Sequence, residues 1–142
     1  MSYIIEADWI TSAGLRAICM LAQGTHRNGY VEVPKGHPLH GIGYNEPTKL
    51  IGRKAAEEAR LGKKSSILAF TFDVHGGLTY SGSGETYPVP SDGWWFGFDC
   101  AHAGDGQLGR RARFSGGPVR SQEYVMSECE KLALQIVEMF PL

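Results

Sequence analysis

Near the C-terminus, Val125, Cys129, Leu132 and Ile136 recur at three- and four-residue spacing, and Met139 or Phe140 closes the series. That period is the apolar stripe of an amphipathic helix, so residues 121–140 are predicted helical, with Ser121 as the N-cap. A one-faced helix must bury its stripe against another layer. The rest of the chain supplies strand-like runs for that layer. Residues 15–22 are almost continuously apolar, and periodicity alone does not separate strand from helix there. Tyr30-Val31-Glu32-Val33 alternates and is closed by Pro34, so the two runs read as a β-hairpin whose long loop, 23–29, carries His26, Arg27 and Asn28.

Residues 67–74 (I-L-A-F-T-F-D-V) are β-branched and aromatic and read as a strand. A bend at His75-Gly76-Gly77 follows, and residues 78–81 continue or return that strand. Residues 94–100 (W-W-F-G-F-D-C) form a strand of high aromatic density. A second helix is expected over 49–61, with Asn45 as cap, Glu46 at its positive end, Pro47 in its first turn and Gly62 as its stop. Strands and helices do not alternate, so the expected fold is α+β, a mostly antiparallel sheet with two main helices packed on it. The whole chain, 1–142, reads as a single domain.

Fourteen Lys and Arg against fifteen Asp and Glu give a net charge of −1, which argues against general nucleic-acid binding. No apolar run reaches the ~18–20 residues of a membrane span, and the N-terminus lacks the pattern of a signal peptide. A cytoplasmic protein is expected, with no membrane partner. Three widely spaced cysteines, Cys19, Cys100 and Cys129, make neither a disulfide framework nor a pair of zinc knuckles. A small sheet rich in aromatic residues often pairs with a copy of itself, so a homo-oligomer is a further expectation.

Nineteen glycines stand where average usage of ~7% would give about ten. They cluster with histidines and aspartates in three places: 25–38, 73–79 and 98–105. Four of the five histidines and three of the five aspartates lie in these clusters, which marks them as parts of one site. Three chemistries are open to these residues. His75, Asp99, His102 and Asp105 offer imidazole and carboxylate donors, but the D-x-x-H spacing is no established metal motif, and neither metal nor cofactor is assigned. Cys100 with His75 or His102 could make a thiolate–imidazole pair, although buried packing is the simpler reading of Cys100.

Non-covalent capture of a nucleotide-like molecule uses more of the cluster residues. One of Trp94 and Trp95 would stack on a base, and Trp95 is the one assigned. Gly76 and Gly77 let backbone N–H groups approach phosphate, Arg27 and Arg113 supply charge-assisted bonds, and Asp99 and Asp105 hold ribose hydroxyls. His26, Tyr30, His37, His75 and His102 complete the expected ligand-binding set.

The segments H-R-N-G-Y-V-E-V-P-K-G-H-P-L (26–39), V-H-G-G-L-T-Y-S (74–81) and W-W-F-G-F-D-C-A-H-A-G-D (94–105) resemble a family of small, poorly characterised bacteriophage and prophage accessory proteins. Members of that family often carry Cys where Asn28 stands, so the resemblance implies a thiol lost here. It also implies an origin in a phage or prophage and a place in the cytoplasm of an infected or lysogenic host. By analogy with phage proteins that block host immunity, the expected function is sequestration of a nucleotide-type immune signal, a cyclic ADP-ribose variant or cyclic oligonucleotide. The alternatives are a Cys/His- or metal-dependent hydrolase of such a ligand, and a protein that inhibits a host enzyme by direct binding.

Overall fold

A computed structural model describes residues 3–22, 26–46, 67–101 and 119–141. Its elements are β1 (Tyr3–Ile10), β2 (Arg16–Ala22), β3 (His26–Val33), α1 (Leu68–Thr71), β4 (Tyr80–Ser83), β5 (Trp94–Asp99) and α2 (Gln122–Met139). The strands form one sheet in the order β1-β2-β3-β5-β4, antiparallel at every junction.

α2 packs on one face of that sheet. Its buried residues Val125, Cys129, Leu132, Ala133 and Ile136 meet Ala17 and Cys19 of β2, Val31 and Val33 of β3, and Phe96 and Phe98 of β5. Ser121 caps the helix, its hydroxyl accepting from Tyr124 N at 3.1 Å. Gly29 and Phe98 are opposed in the β3–β5 ladder, and the missing Cβ of Gly29 leaves room for the Phe98 ring beneath Cys129. The other face carries a smaller core of Ile18, Met20, Tyr30 and Trp95, covered by Ile5, Tyr80, Tyr87 and Val89.

The expectation of two main helices on the sheet is corrected. Among the described residues one long helix packs on it, and the helix expected over 49–61 lies outside them. Residues 67–74 are not a strand of the sheet either. Their first half closes the single turn α1, with Phe72 N donating to Leu68 O at 3.3 Å. Their second half is extended, but its backbone bonds to helix side chains. Asp73 N donates to Gln135 Oε1 and Gln135 Nε2 donates to Asp73 O, both at 2.7 Å, while His75 N donates to Glu128 Oε1 at 2.7 Å. The β propensity of the segment is real, but tertiary partners decided where it went.

Two further differences concern the strands. β3 begins at His26, so His26, Arg27 and Asn28 sit in the ladder opposite Ala22, Leu21 and Met20 and not in a long loop. β1 was not anticipated, because a bulge between Ile5 and Ala7 breaks the alternation that would have revealed it. Among the described residues no helix is long and apolar enough to cross a membrane.

Candidate functional site

The faces of β3 and β5 sort the expected site residues into two groups. On the face away from α2, alternation places Asn28 and Tyr30 of β3 beside Gly97 and Asp99 of β5, with Asn28 opposite Asp99 and Tyr30 opposite Gly97. Tyr80 of β4 also pairs with Gly97, so Tyr30 and Tyr80 flank one glycine, their rings edge-to-face at 5.5 Å. Asn28, Tyr30, Thr79, Tyr80, Phe98 and Asp99 line a cleft of about 190 Å³.

The polar groups of this cleft are unevenly satisfied. Asp99 Oδ2 accepts from Thr79 Oγ1 at 3.2 Å and Oδ1 accepts from Ala101 N at 3.1 Å. Asn28 Nδ2 donates to the Tyr30 hydroxyl at 3.2 Å, whereas Asn28 Oδ1 is buried with no hydrogen-bond donor. The Tyr30 and Tyr87 hydroxyls are bonded to each other. Burial, reinforced by that bond, pushes the Tyr30 phenol up, and burial also raises Tyr80, so both stay neutral near pH 7. The cleft therefore sets one unpaired acceptor, Asn28 Oδ1, between neutral aromatic walls.

On the α2 face, Arg27 is committed to structure. Its Nε donates to Glu6 Oε1 at 2.6 Å, one terminal nitrogen donates to Glu6 Oε2 at 3.3 Å, and the other donates to the Arg120 carbonyl at 2.9 Å. Cys100 is buried against the helix-side core, and its backbone N donates to Arg27 O at 3.0 Å. His75 stands against α2, with Nδ1 at 2.8 Å from the Tyr124 hydroxyl, and the Arg120 guanidinium lies 5.0 Å from the centre of the Tyr124 ring. Gly76 and Gly77 take positive φ angles of 68° and 77°, the left-handed turn that sends the chain from α2 back toward β4.

The remaining candidates are dispersed. Trp95 is wholly buried in the smaller core and its Nε1 donates to Ser91 Oγ at 3.1 Å, so its ring is packing and not an open stacking surface. Trp94 is half-buried and donates from Nε1 to Ile42 O at 3.1 Å. His37 is buried in the turn after β3, where Nδ1 accepts from Leu39 N at 3.0 Å and the ring meets Phe140 edge-on at 5.9 Å. His26 opens β3 opposite Ala22. His102, Asp105 and Arg113 lie outside the described residues.

The structure thus joins Tyr30 with Asp99 on one sheet face, and groups Arg27, His75 and Cys100 on the other. Among the described residues no three His, Cys, Asp or Glu side chains converge on a metal position. Sequence reasoning missed Asn28, Thr79 and Tyr80 as lining residues. Only the strand register brings them together, and neither composition nor motif spacing encodes it. Comparison with protein-family models, with curated proteins and with solved structures finds no match to this chain.

Proposed function

We propose that the protein binds a small nucleotide-type molecule non-covalently, seating its base or a sugar edge in the cleft between Asn28, Tyr80 and Asp99. The carrying observation is the buried Asn28 Oδ1, which has no donor and belongs to a residue lining a cleft beside Asp99. A buried acceptor without a donor costs about 1–3 kcal/mol, and a ligand bringing N–H or O–H groups recovers that cost. Exocyclic amines, ring N–H groups and ribose hydroxyls are such donors, and the tyrosines supply apolar walls for a flat ring. A cleft of about 190 Å³ accommodates one ring system, so the rest of a larger ligand extends beyond it.

In the biological form of this reading, the protein is a phage or prophage accessory factor in the cytoplasm of its bacterial host. It holds a cyclic ADP-ribose variant or a cyclic oligonucleotide and so blunts the host's immune response. The test is to incubate the protein with a panel of such nucleotides and analyse the free pool by mass spectrometry before and after heat denaturation. An intact nucleotide depleted at first and released by heating is the expected result. A cleaved nucleotide before heating, or no depletion from any member of the panel, overturns the reading.

A further inference from the structure

The sheet has two edges of unequal character. β4 is four residues long, whereas β1 is eight residues long and, among the described residues, is bonded on one side only, to β2. The described residues contain four exposed large apolar side chains: Tyr3 at 43%, Ile4 at 60%, Ile10 at 65% and Leu134 at 52%. Three of them are on β1. The fourth is on α2 beside the β1–β2 turn, where Ser12, Ala13, Glu130, Lys131 and Leu134 line one depression. The apolar strip therefore spans both layers on a single side of the molecule, and β1 itself contains neither Pro nor Lys to block pairing.

We infer that this side is the interface of a homodimer, in which β1 pairs antiparallel with β1 of a second copy across a two-fold axis. The β1 bulge decides the register. Ala7 and Trp9 pack on the α2 side, Ile5 packs in the core of the opposite face, and Tyr3 meets Tyr87 on that same opposite face. Alternation from these anchors puts Ile4 on the α2 side, and Asp8 and Ile10 on the other. Residues directly opposed in an antiparallel pair share a face. With this bulge, the two-fold pairing that respects the faces along the whole strand centres between Glu6 and Ala7. It sets Tyr3 opposite the partner's Ile10, Ile4 opposite the partner's Trp9, and Ile5 opposite the partner's Asp8.

In that register apolar side chains meet at both ends, and no two carboxylates are directly opposed. Trp9 is held by α2 through Glu130, one helical turn from Leu134, so the partner's Ile4 also comes to rest beside Leu134. One operation covers all four exposed side chains. An extended peptide would cover the strand edge alone. A copy of this chain brings a helix layer as well, which is what Leu134 requires. A strand of eight residues is about 27 Å long, and a sheet layer plus a helix layer are together about 20 Å deep. That side offers on the order of 500 Å² per protomer and about 1,000 Å² in total, where specific interfaces begin.

Sedimentation equilibrium of the full chain at micromolar concentration is expected to give twice the chain mass of 15.5 kDa. Ile4→Lys and Ile10→Lys are each expected to give the single-chain mass with an unchanged far-UV circular dichroism spectrum. The double variant Tyr3→Cys/Ile10→Cys, oxidised, is expected to run as a covalent dimer on a non-reducing gel, and Tyr3→Cys alone as a monomer. This cross-link decides the register even where a lysine variant fails to fold. A monomeric wild type, a dimer that survives both lysine substitutions, or a dimeric double variant that does not cross-link overturns the inference.

Discussion

Asn28 and Asp99 face each other directly across β3 and β5, on the sheet face that α2 does not cover. The pairing sets an amide oxygen without a donor beside a carboxylate that accepts from Thr79 Oγ1 and Ala101 N. A buried amide oxygen short of a donor describes a position better suited to a ligand than to stability. Replacing Asn28 by Leu should therefore separate the two properties. Removing the unsatisfied oxygen offsets loss of the bond to Tyr30, so stability should change by no more than about 1 kcal/mol. Affinity for any nucleotide found by heat release should fall at least tenfold, about 1.4 kcal/mol. Calorimetric titration and thermal melts of the same variant check both arms, and undiminished binding would remove the cleft from the reading.

Gly29→Ala tests the close packing of sheet against helix. A Cβ there would sit 2.5 Å from Phe98 Cε1 and 2.8 Å from Cys129 Sγ, and both neighbours are fully packed. Overpacking of this kind costs about 1–3 kcal/mol, and urea denaturation should show a value in the upper half of that range.

β1 is tied to α2 by one carboxylate. Glu130 accepts from Trp9 Nε1 at 2.7 Å and from Ser12 N at 2.9 Å. Burial alone would raise its carboxyl, but these bonds outweigh burial and hold it below the usual glutamate value. Glu130→Ala should cost about 1–2 kcal/mol in chemical denaturation, as expected for hydrogen bonds to a charged acceptor. Hydrogen exchange should show β1 opening faster in the variant than in the unsubstituted protein with β3 little changed, and equal protection of β1 in the two proteins would contradict this tie.

Burial lowers His37 from its ordinary value of 6.5, and its Nδ1 must be unprotonated to accept from Leu39 N. The folded protein therefore binds a proton at His37 less readily than the unfolded chain does. By linkage, its stabilising contribution is complete above pH 6.5 and is lost as pH falls through that value toward the lower folded one. Melts at pH 7.5 to 5 should show a stability decrease that is smaller in His37→Asn, whose side-chain oxygen can replace Nδ1 as acceptor. An identical slope in the variant would place the pH dependence elsewhere.

All three cysteines are buried thiols outside any disulfide. Burial pushes the Cys19 thiol up to about 12, and pushes Cys129 well above its ordinary value. Such thiols form little thiolate at neutral pH and Cys100 is also buried, so the native protein should resist a thiol-specific disulfide reagent, with all three groups reacting only in denaturant. One rapidly reacting thiol in the native protein would point to Cys100 and favour the hydrolase alternative.

Local rules are enough to read much of this architecture from the chain. The stripe from Val125 to Ile136 specifies a one-sided helix, and Ser121 caps it as its residue type requires. The apolar run in β2 with the alternation in β3, and the aromatic run in β5, mark three of the five strands among the described residues. Short-range signals fail wherever a long-range partner sets the outcome. The bulge hides β1 from any period-two test. The extended segment after α1 satisfies its backbone with Gln135 and Glu128, more than fifty residues away in sequence.

The same division holds for the candidate site. Clustering of His, Asp and Gly singled out segments that contain Tyr30 and Asp99, yet it could not distribute them between faces. That distribution follows from the β3–β5 register, which sends Asn28, Tyr30 and Asp99 to one side and Arg27, Phe98 and Cys100 toward α2. Residue type and spacing determined which segments became strands and helix, because propensity and amphipathic period act within a few residues. Only the tertiary structure decided which polar side chains share a cleft, because a one-residue shift of register exchanges the two faces of a strand.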